Sequence, residues 1–455
     1  MNDHCTPGSE WVAFTKVKVP LDRYYTSTDD AVHVNKWIAL PGGHHILGGL
    51  GIGRVWHFFS VFWWMLNGLI YVTLLFTTGE WKRLVPTSWD IFPRAWETFL
   101  SSISFNMPPE AAFQPYDALQ QLAYFGVVFI LAPLAIVTGI AMSPAFAGRF
   151  PWYLKLLGGR QVARSIHFLV MIAFVVFLVI HVSMVVITGF AKNMNHIVLG
   201  LQDPQYQTLA VILGLLGIAF VIVVNIWATE WSNHKPRSVQ KSIGAFASKL
   251  INICFYKLQS KQKYTRRDLS PYYWINGYLP TTPEWLELKE GGFAGYKLKV
   301  NGLVENPLEL SLNDLRALHV QSQITKQHCI QGWSGIGEWT GVPLSLILDR
   351  CRPLPSARYV IFHSFQRDGK GIEYYTSLDL EEARYPQTIL AYEFNSEPLS
   401  IAHGAPLRVR IENQLGFKMC KWIRTLEIVE SYEHIGLGMG GYREDVQFYI
   451  PSAQI

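Results

Sequence analysis

The sequence predicts a multi-domain chain, an all-α transmembrane four-helix bundle followed by a mixed α+β domain. Three observations predict it. Long apolar runs are confined to the first half of the 455 residues, so one part is written for lipid and the other for water. Four of these runs are long enough to cross the ~30 Å hydrocarbon layer as helices. The last ~185 residues, a usual size for one domain, mix short β-branched runs with short helical patterns.

Composition excludes several classes. The net charge of +5 is modest, and Lys and Arg sit mostly beside apolar runs, which is membrane-flanking charge and not a nucleic-acid footprint. The five cysteines, Cys5, Cys254, Cys329, Cys351 and Cys420, form no CxxC pair, as expected of unpaired thiols in a reducing compartment. The opening MNDHCTPGSEWVAFTKVKV lacks the charged, apolar and cleavage regions of a signal peptide, so no export signal is expected. Arg266 and Arg267 precede no apolar segment and read as linker charge.

In order along the chain, an N-terminal segment (1–45) leads into a membrane domain (46–230), an interfacial linker (231–269) and a C-terminal domain (270–455). The expected spans are 54–77, 120–142, 163–188 and 208–228, with Trp63, Trp64, Trp81, Trp152, Trp227 and Trp231 in or near them, several at the ends where aromatic belts form. Between the first two spans, TSWDIFPRAWETFLSSI reads as an interfacial helix. The basic stretch after the fourth span reads as an interfacial helix and linker, with a plain solvated connector as the alternative. Four crossings put both termini on one side. Arg54, Arg149, Arg160, Arg164 and Arg237 flank that side, against Lys82, Arg83, Arg94 and Lys192 on the other. The positive-inside rule then expects a multi-pass protein of the cytoplasmic membrane with its C-terminal domain in the cytoplasm.

His57 lies in GRVWHFF, and His167 and His181 in ARSIHFLVMIAFVVFLVIHVSMV. Ionisable groups in lipid are costly, so each wants a functional partner, and haem iron is the obvious one; a hydrogen bond between helices is the bland alternative. His57 and His167 sit near the same end of helices running in the same direction, placing them to reach one haem. His181 follows His167 by 14 positions, roughly 21 Å along a helix and about 40° from the same face, which suits a second haem. This span resembles the b-type cytochrome subunits that carry electrons between quinones and formate dehydrogenase or nickel–iron hydrogenase. The resemblance implies two stacked haems, each completed by a His from another helix. No second partner for His181 is evident here, His196 and the pair His44 and His45 lying outside the spans, so one or two haem b are expected. Arg54 and Arg164, each three residues before a His, serve either haem propionates or as snorkelling charges.

The C-terminal half is organised around KQHCIQGWSGIGEWTG, residues 326–341. Cys329, flanked by His328 and Lys326, is a soft-metal ligand, a nucleophile or an inert buried thiol. Before it comes SPYYWINGYLPTTPEWLELKEGGFAGYKLKVNGLVENPLELSLNDLRAL, and after it AYEFNSEPLSIAHGAPLRVRIENQLGFKMCKWIRTLEIVE. In order and spacing these motifs resemble the molybdopterin-binding domain of the sulfite oxidase superfamily, over residues 270–430. The resemblance implies a compact mixed fold gripping one pterin, without the immunoglobulin-like dimerisation domain of some members. Cys329 matches the molybdenum ligand. Asn276 matches the pterin-contacting loop, and His403, Arg408, Lys418 and Lys421 match the stretch that holds the pterin and its phosphate; a solvated strand face is the alternative for these charges. Tyr374 matches the active-site tyrosine, with Tyr375 the alternative.

Sulfite oxidases carry an arginine immediately before that Asn, where this chain has Ile275. An oxyanion site thus lacks one cation, which shifts the expectation from sulfite toward the relatives that reduce methionine sulfoxide, or toward another small oxo-donor. The tail GLGMGGYREDVQFY either covers the cofactor or docks on the membrane domain. The expected protein is a membrane molybdenum oxidoreductase coupling a small oxo-substrate to the quinone pool through haem b, as reductase. A sulfite dehydrogenase and a non-catalytic haem anchor with a ligand-binding domain are its rivals.

Overall fold

In a computed structural model the chain is described over residues 50–104, 116–255, 263–275, 277–330, 333–451 and 453–455. Its described residues divide into two compact units, one within 58–142 and 162–231, the other within 50–57, 143–161 and 232–455. Asn276, His44 and His45 lie outside the described residues.

Four helices are long and apolar enough to cross a membrane, Gly51–Thr77, Ala118–Met142, Arg160–Ile187 and Pro204–His234. They fall on the four expected runs, the first three longer by two or three residues and the fourth by ten. We label the helices α1 (Leu50–Thr77), α2 (Ile91–Ile103), α3 (Ala118–Met142), α4 (Arg160–Ile187) and α5 (Gln207–His234). Large apolar side chains such as Leu69, Leu74, Phe220 and Val223 face outward, a surface that water penalises and lipid does not. A capping box starts α3: Gln120 N–H donates to Asp117 Oδ1 at 2.8 Å and Asp117 N–H to Gln120 Oε1 at 3.2 Å. Within α3, Gly126–Leu131 is π-helical. Pro133 follows at once and lacks the N–H that an α-helical turn needs there, which accounts for the widened turn. The short helix α2 buries Ile91 and Ala95 against Ala118, Leu119 and Leu122, leaving Trp89 and Trp96 exposed at 86% and 61%. That is the amphipathic geometry of a helix lying in a membrane interface.

The other unit is the mixed α+β domain. Its strands are β1 (Lys297–Gly302), β2 (Leu308–Ser311), β3 (Gln321–His328), β4 (Ser334–Pro343) and β5 (Tyr359–Arg367). They continue as β6 (Glu373–Asp379), β7 (Ile389–Phe394), β8 (Glu397–Pro398), β9 (Arg408–Arg410) and β10 (Ile423–Val429). One sheet has the order β2-β1-β10-β5-β6, with β1 and β10 parallel and the rest antiparallel. The second, β3-β4-β7-β8 with β9 on β7, is antiparallel throughout. Leu298, Val300, Val342, Leu344, Ile347, Leu348, Phe362, Leu390 and Leu426 share one core. Gly341 is demanded by close approach: a Cβ there would overlap the Leu390 carbonyl of β7, at the point where the β4–β7 register shifts.

Two helical segments join this unit. Ala145 packs with Leu415, Phe417, Tyr449, Ala453 and Ile455. The expected linker is helical over Pro236–Phe255 (α6), with Val239, Gln240, Ile243 and Ala247 buried. Gln240 Nε2 donates to the carbonyls of Glu444 (2.9 Å) and Tyr449 (2.5 Å), and Arg237 to those of Glu444 (3.0 Å) and Asp445. A Cβ on Gly51, in the first turn of α1, would overlap the Gln447 carbonyl. The C-terminal tail is therefore seated on α6 and the start of α1.

Candidate active site

In the mixed domain lies a cavity of about 390 Å³, walled by Tyr273, Trp274, Tyr374, His403, Arg408, Phe417, Lys421, Tyr442 and Arg443 among others. Cys329 emerges from β3 directly after His328 and enters the turn to β4, where its N–H donates to the Trp333 carbonyl at 2.9 Å. It is 2% exposed and packs in one cluster with the wall residues Tyr273 and Trp274. Neighbouring His328 has Nδ1 3.2 Å from Arg160 Nη1. Burial first, then Arg160 and Lys326, push its pKa well below the ordinary histidine value, so it is neutral.

Strand alternation sends the two tyrosines to opposite faces. On β6, Tyr374 turns to the cavity and its hydroxyl donates to the Phe417 carbonyl at 2.7 Å. Tyr375 turns to the opposite face, packs with Ile361 and Val429, and donates to Asp445 Oδ2 at 2.5 Å and the Ile435 carbonyl at 2.9 Å. Burial raises the Tyr374 pKa above the ordinary phenol value, so the hydroxyl stays protonated.

The expected pterin-holding residues separate into two sets. His403, held with Nδ1 2.8 Å from Ser400 Oγ and Nε2 3.3 Å from the Tyr273 carbonyl, lines the cavity. Burial, then the Lys421 ammonium, lower its pKa to about 4. Arg408 lies with its guanidinium 4.6 Å from the Trp339 ring centroid and donates through Nη1 to the His403 carbonyl at 2.9 Å. Its Nε is buried without a partner, and among the described residues no carboxylate pairs with it. Burial, then neighbouring Arg410, lower its pKa to about 9, which leaves it charged at neutral pH. Arg410, by contrast, is neutralised by Glu412 at 3.0 Å. Lys421 donates to the Ala402 carbonyl at 3.0 Å over the Trp422 ring; burial, then Arg408, push its pKa well down.

Lys418 is not brought to the cavity. Its ammonium makes a fully buried ion pair with Glu444 at 2.6 Å and reaches the Gly440 carbonyl at 3.3 Å. The position next to Phe417 turns away from the wall because the Gly-rich tail supplies a buried carboxylate there.

In the helical unit, His167 Nδ1 lies 3.0 Å from Thr138 Oγ1. His181 Nδ1 lies 3.5 Å from the Tyr124 hydroxyl, its ring stacked on Phe177 at 5.5 Å. Tyr124 and Thr138 stand as far apart on α3 as the two histidines do on α4, so both imidazoles face α3. A Cβ on Gly139 would sit 3.5 Å from the His167 ring, an ordinary van der Waals contact, so the ring lies directly against α3. His57 is on α1 with its side chain exposed.

Family models match both halves. Residues 13–200 match the prokaryotic cytochrome b561 family, and residues 287–434 the oxidoreductase molybdopterin-binding domain. The chain joins these two domains. The two family models indicate a molybdopterin for the one domain and b-type haem for the other. Among relatives, a putative protein-methionine-sulfoxide reductase subunit YedZ1 of Azospira oryzae is 35% identical over 35% of this chain and 56% of its own. The catalytic subunit MsrP of the protein-methionine-sulfoxide reductase of Xanthomonas campestris is 34% identical over 30% of this chain and 45% of its own. The chain thus spans about half the length of each. The sulfane dehydrogenase SoxCD structure from Paracoccus pantotrophus aligns at 23% identity over 33% of this chain and 40% of that one, with a TM-score of 0.28, a likeness too slight to carry an argument.

The sequence left the tail either covering the cofactor or docking on the membrane domain, and named none of its residues for the cavity wall. Tyr442, Arg443 and Gln447 line the cavity from a short helix, α7 (Tyr442–Gln447). The only signal was a Gly-rich run followed by alternating charge, which names no partner.

Proposed function

We propose that the chain reduces a small oxo-substrate of the sulfoxide class with electrons taken from quinol through b-type haem. The observation that carries the reading is the set of basic groups buried around one cavity, chiefly Arg408 with its unpartnered Nε and no ion-paired carboxylate among the described residues. A buried unpaired cation is costly, and an anionic cofactor phosphate relieves it. The cavity therefore fits a molybdopterin. His403, Arg408 and Lys421 hold the pterin and its phosphate in this reading, Asn276 being assigned to the pterin by its motif alone, and the Cys329 thiolate holds the molybdenum. When bound, that group supplies two-electron oxygen-atom transfer. The chain's own residues orient the substrate, exclude water through the aromatic wall of Tyr273, Trp274 and Phe417, and present the Tyr374 hydroxyl as a proton donor. Overall, a sulfoxide, two electrons and two protons give a sulfide and water.

The helical unit fits haem on a similar test. The Thr138 hydroxyl engages His167 at Nδ1, leaving Nε2 as the ligating nitrogen. His57, His167 and His181 are the iron ligands of this reading, for one or two haems, and haem supplies one-electron carriage. Carrying donor and acceptor on one chain keeps their effective concentration high. The excess of Arg on the loops shared with the C-terminal domain supports a cytoplasmic placement of that domain. Relatives named as methionine sulfoxide reductases favour a sulfoxide over sulfite.

The test is made on purified full-length protein in liposomes containing reduced quinol. Haem reduced by quinol should be reoxidised when methionine sulfoxide is added, with sulfide formed. Haem that ignores the sulfoxide but is reduced by sulfite would replace this reading with the dehydrogenase.

A further inference from the structure

The cation missing at Ile275 has a structural counterpart elsewhere. Arg443, on the tail helix α7, lines the cavity and is positioned from behind, because Arg237 and Gln240 of α6 grip the carbonyls of the adjoining Glu444 and Asp445. Its Nη1 donates to Gln447 Oε1 at 2.5 Å, while its Nε is buried with no partner. Among the described residues no carboxylate forms an ion pair with it. The groups whose charge it feels are the Tyr374 and Tyr449 phenols and the Cys329 thiol.

Arg443 and Arg408 both line this cavity but are held by different neighbours. Arg408 and Lys421 are tied to the carbonyls of His403 and Ala402. Arg443 belongs with Tyr374 and Cys329, the residues to which the reading above gives the chemistry. A buried guanidinium without a counter-charge is stable only when a ligand brings one. We propose that Arg443 binds a negatively charged oxygen of the substrate, so that this site selects sulfoxides bearing a carboxylate, or small oxyanions, over neutral sulfoxides. The inference deepens the functional reading and rests on it. Substrate recognition here comes from the C-terminal tail and not from the pterin loop.

The test uses the full-length holoprotein and the variants Arg443→Gln and Arg443→Lys, with molybdenum and haem content measured first. Calorimetry then gives the affinity for inorganic sulfate, and kinetics the KM for methionine sulfoxide and for dimethyl sulfoxide. Loss of a charge-assisted hydrogen bond should weaken sulfate binding about tenfold or more in Arg443→Gln. KM for methionine sulfoxide should rise by a similar factor and that for dimethyl sulfoxide by less than about twofold. Arg443→Lys, which keeps the charge, should recover part of the loss. Unchanged sulfate affinity at full molybdenum content, or an equal KM rise for both sulfoxides, overturns the inference while leaving the reductase standing. Molybdenum lost in Arg443→Gln and restored in Arg443→Lys also overturns it, by giving the guanidinium to the cofactor's phosphate. Wild-type protein without molybdenum would instead sink the functional reading itself.

Discussion

Cys329, Tyr374, His403, Arg408 and Lys421 stand out in the sequence as candidates because each sits in a motif whose neighbours agree in order, and the last four line one cavity. What the motif does not convey is direction. Tyr374 and Tyr375 are equivalent in the sequence, and only the pleat of β6 sends one to the cavity and the other to Asp445. Lys418 carries the same lesson in reverse. Its motif expects a pterin contact, yet its ammonium is spent on Glu444, a residue contributed by the tail. Both partners are buried, so breaking the pair strands a carboxylate. Lys418→Ala should therefore cost about 3–5 kcal/mol, read as a lower thermal midpoint of the molybdopterin domain. An unshifted midpoint with loss of pterin would return Lys418 to the cofactor site.

Among elements, the spans and most strands are legible from periodicity. YKLKVNGLV, ARYVIFHSF and RTLEIVE hold β1, β5 and β10, and the four apolar runs hold α1, α3, α4 and α5. Helix α2 matches the expected interfacial segment, because its apolar positions fall on one broad face, of which only Ile91 and Ala95 are buried while Phe92, Trp96 and Ile103 stay exposed. The π-helical turn before Pro133 is not legible, since a hydropathy run does not register a missing N–H. The linker after the fourth span reads as basic and semi-periodic either way. Only packing distinguishes a solvated connector from α6 with its buried Val239 and Ile243. The Arg residues flanking these helices carry an orientation that proteolysis can check. Protease added to right-side-out vesicles should leave the molybdopterin domain intact, and added to inside-out vesicles should release it; the reverse pattern would place the domain outside the cytoplasm.

At the scale of the molecule, the two-domain order is legible and the grouping of segments is not. Residues 143–161 and 232–255 lie beside membrane spans in the sequence, yet they cluster with the molybdopterin domain. The tail packs on α6 and closes the wall of the cavity through Tyr442 and Arg443. Such contacts join residues some two hundred positions apart, a separation over which local pattern carries no information. The central claim is that one chain holds a molybdenum site on Cys329 and haem on the histidines of α1 and α4. Metal analysis with a reduced-minus-oxidised haem spectrum tests it most directly, on detergent-purified wild type, Cys329→Ala and His181→Ala. The account predicts molybdenum and haem together in the wild type, molybdenum alone perturbed in Cys329→Ala, and a smaller haem signal in His181→Ala if two haems are bound. Matured wild-type protein with neither metal would contradict it.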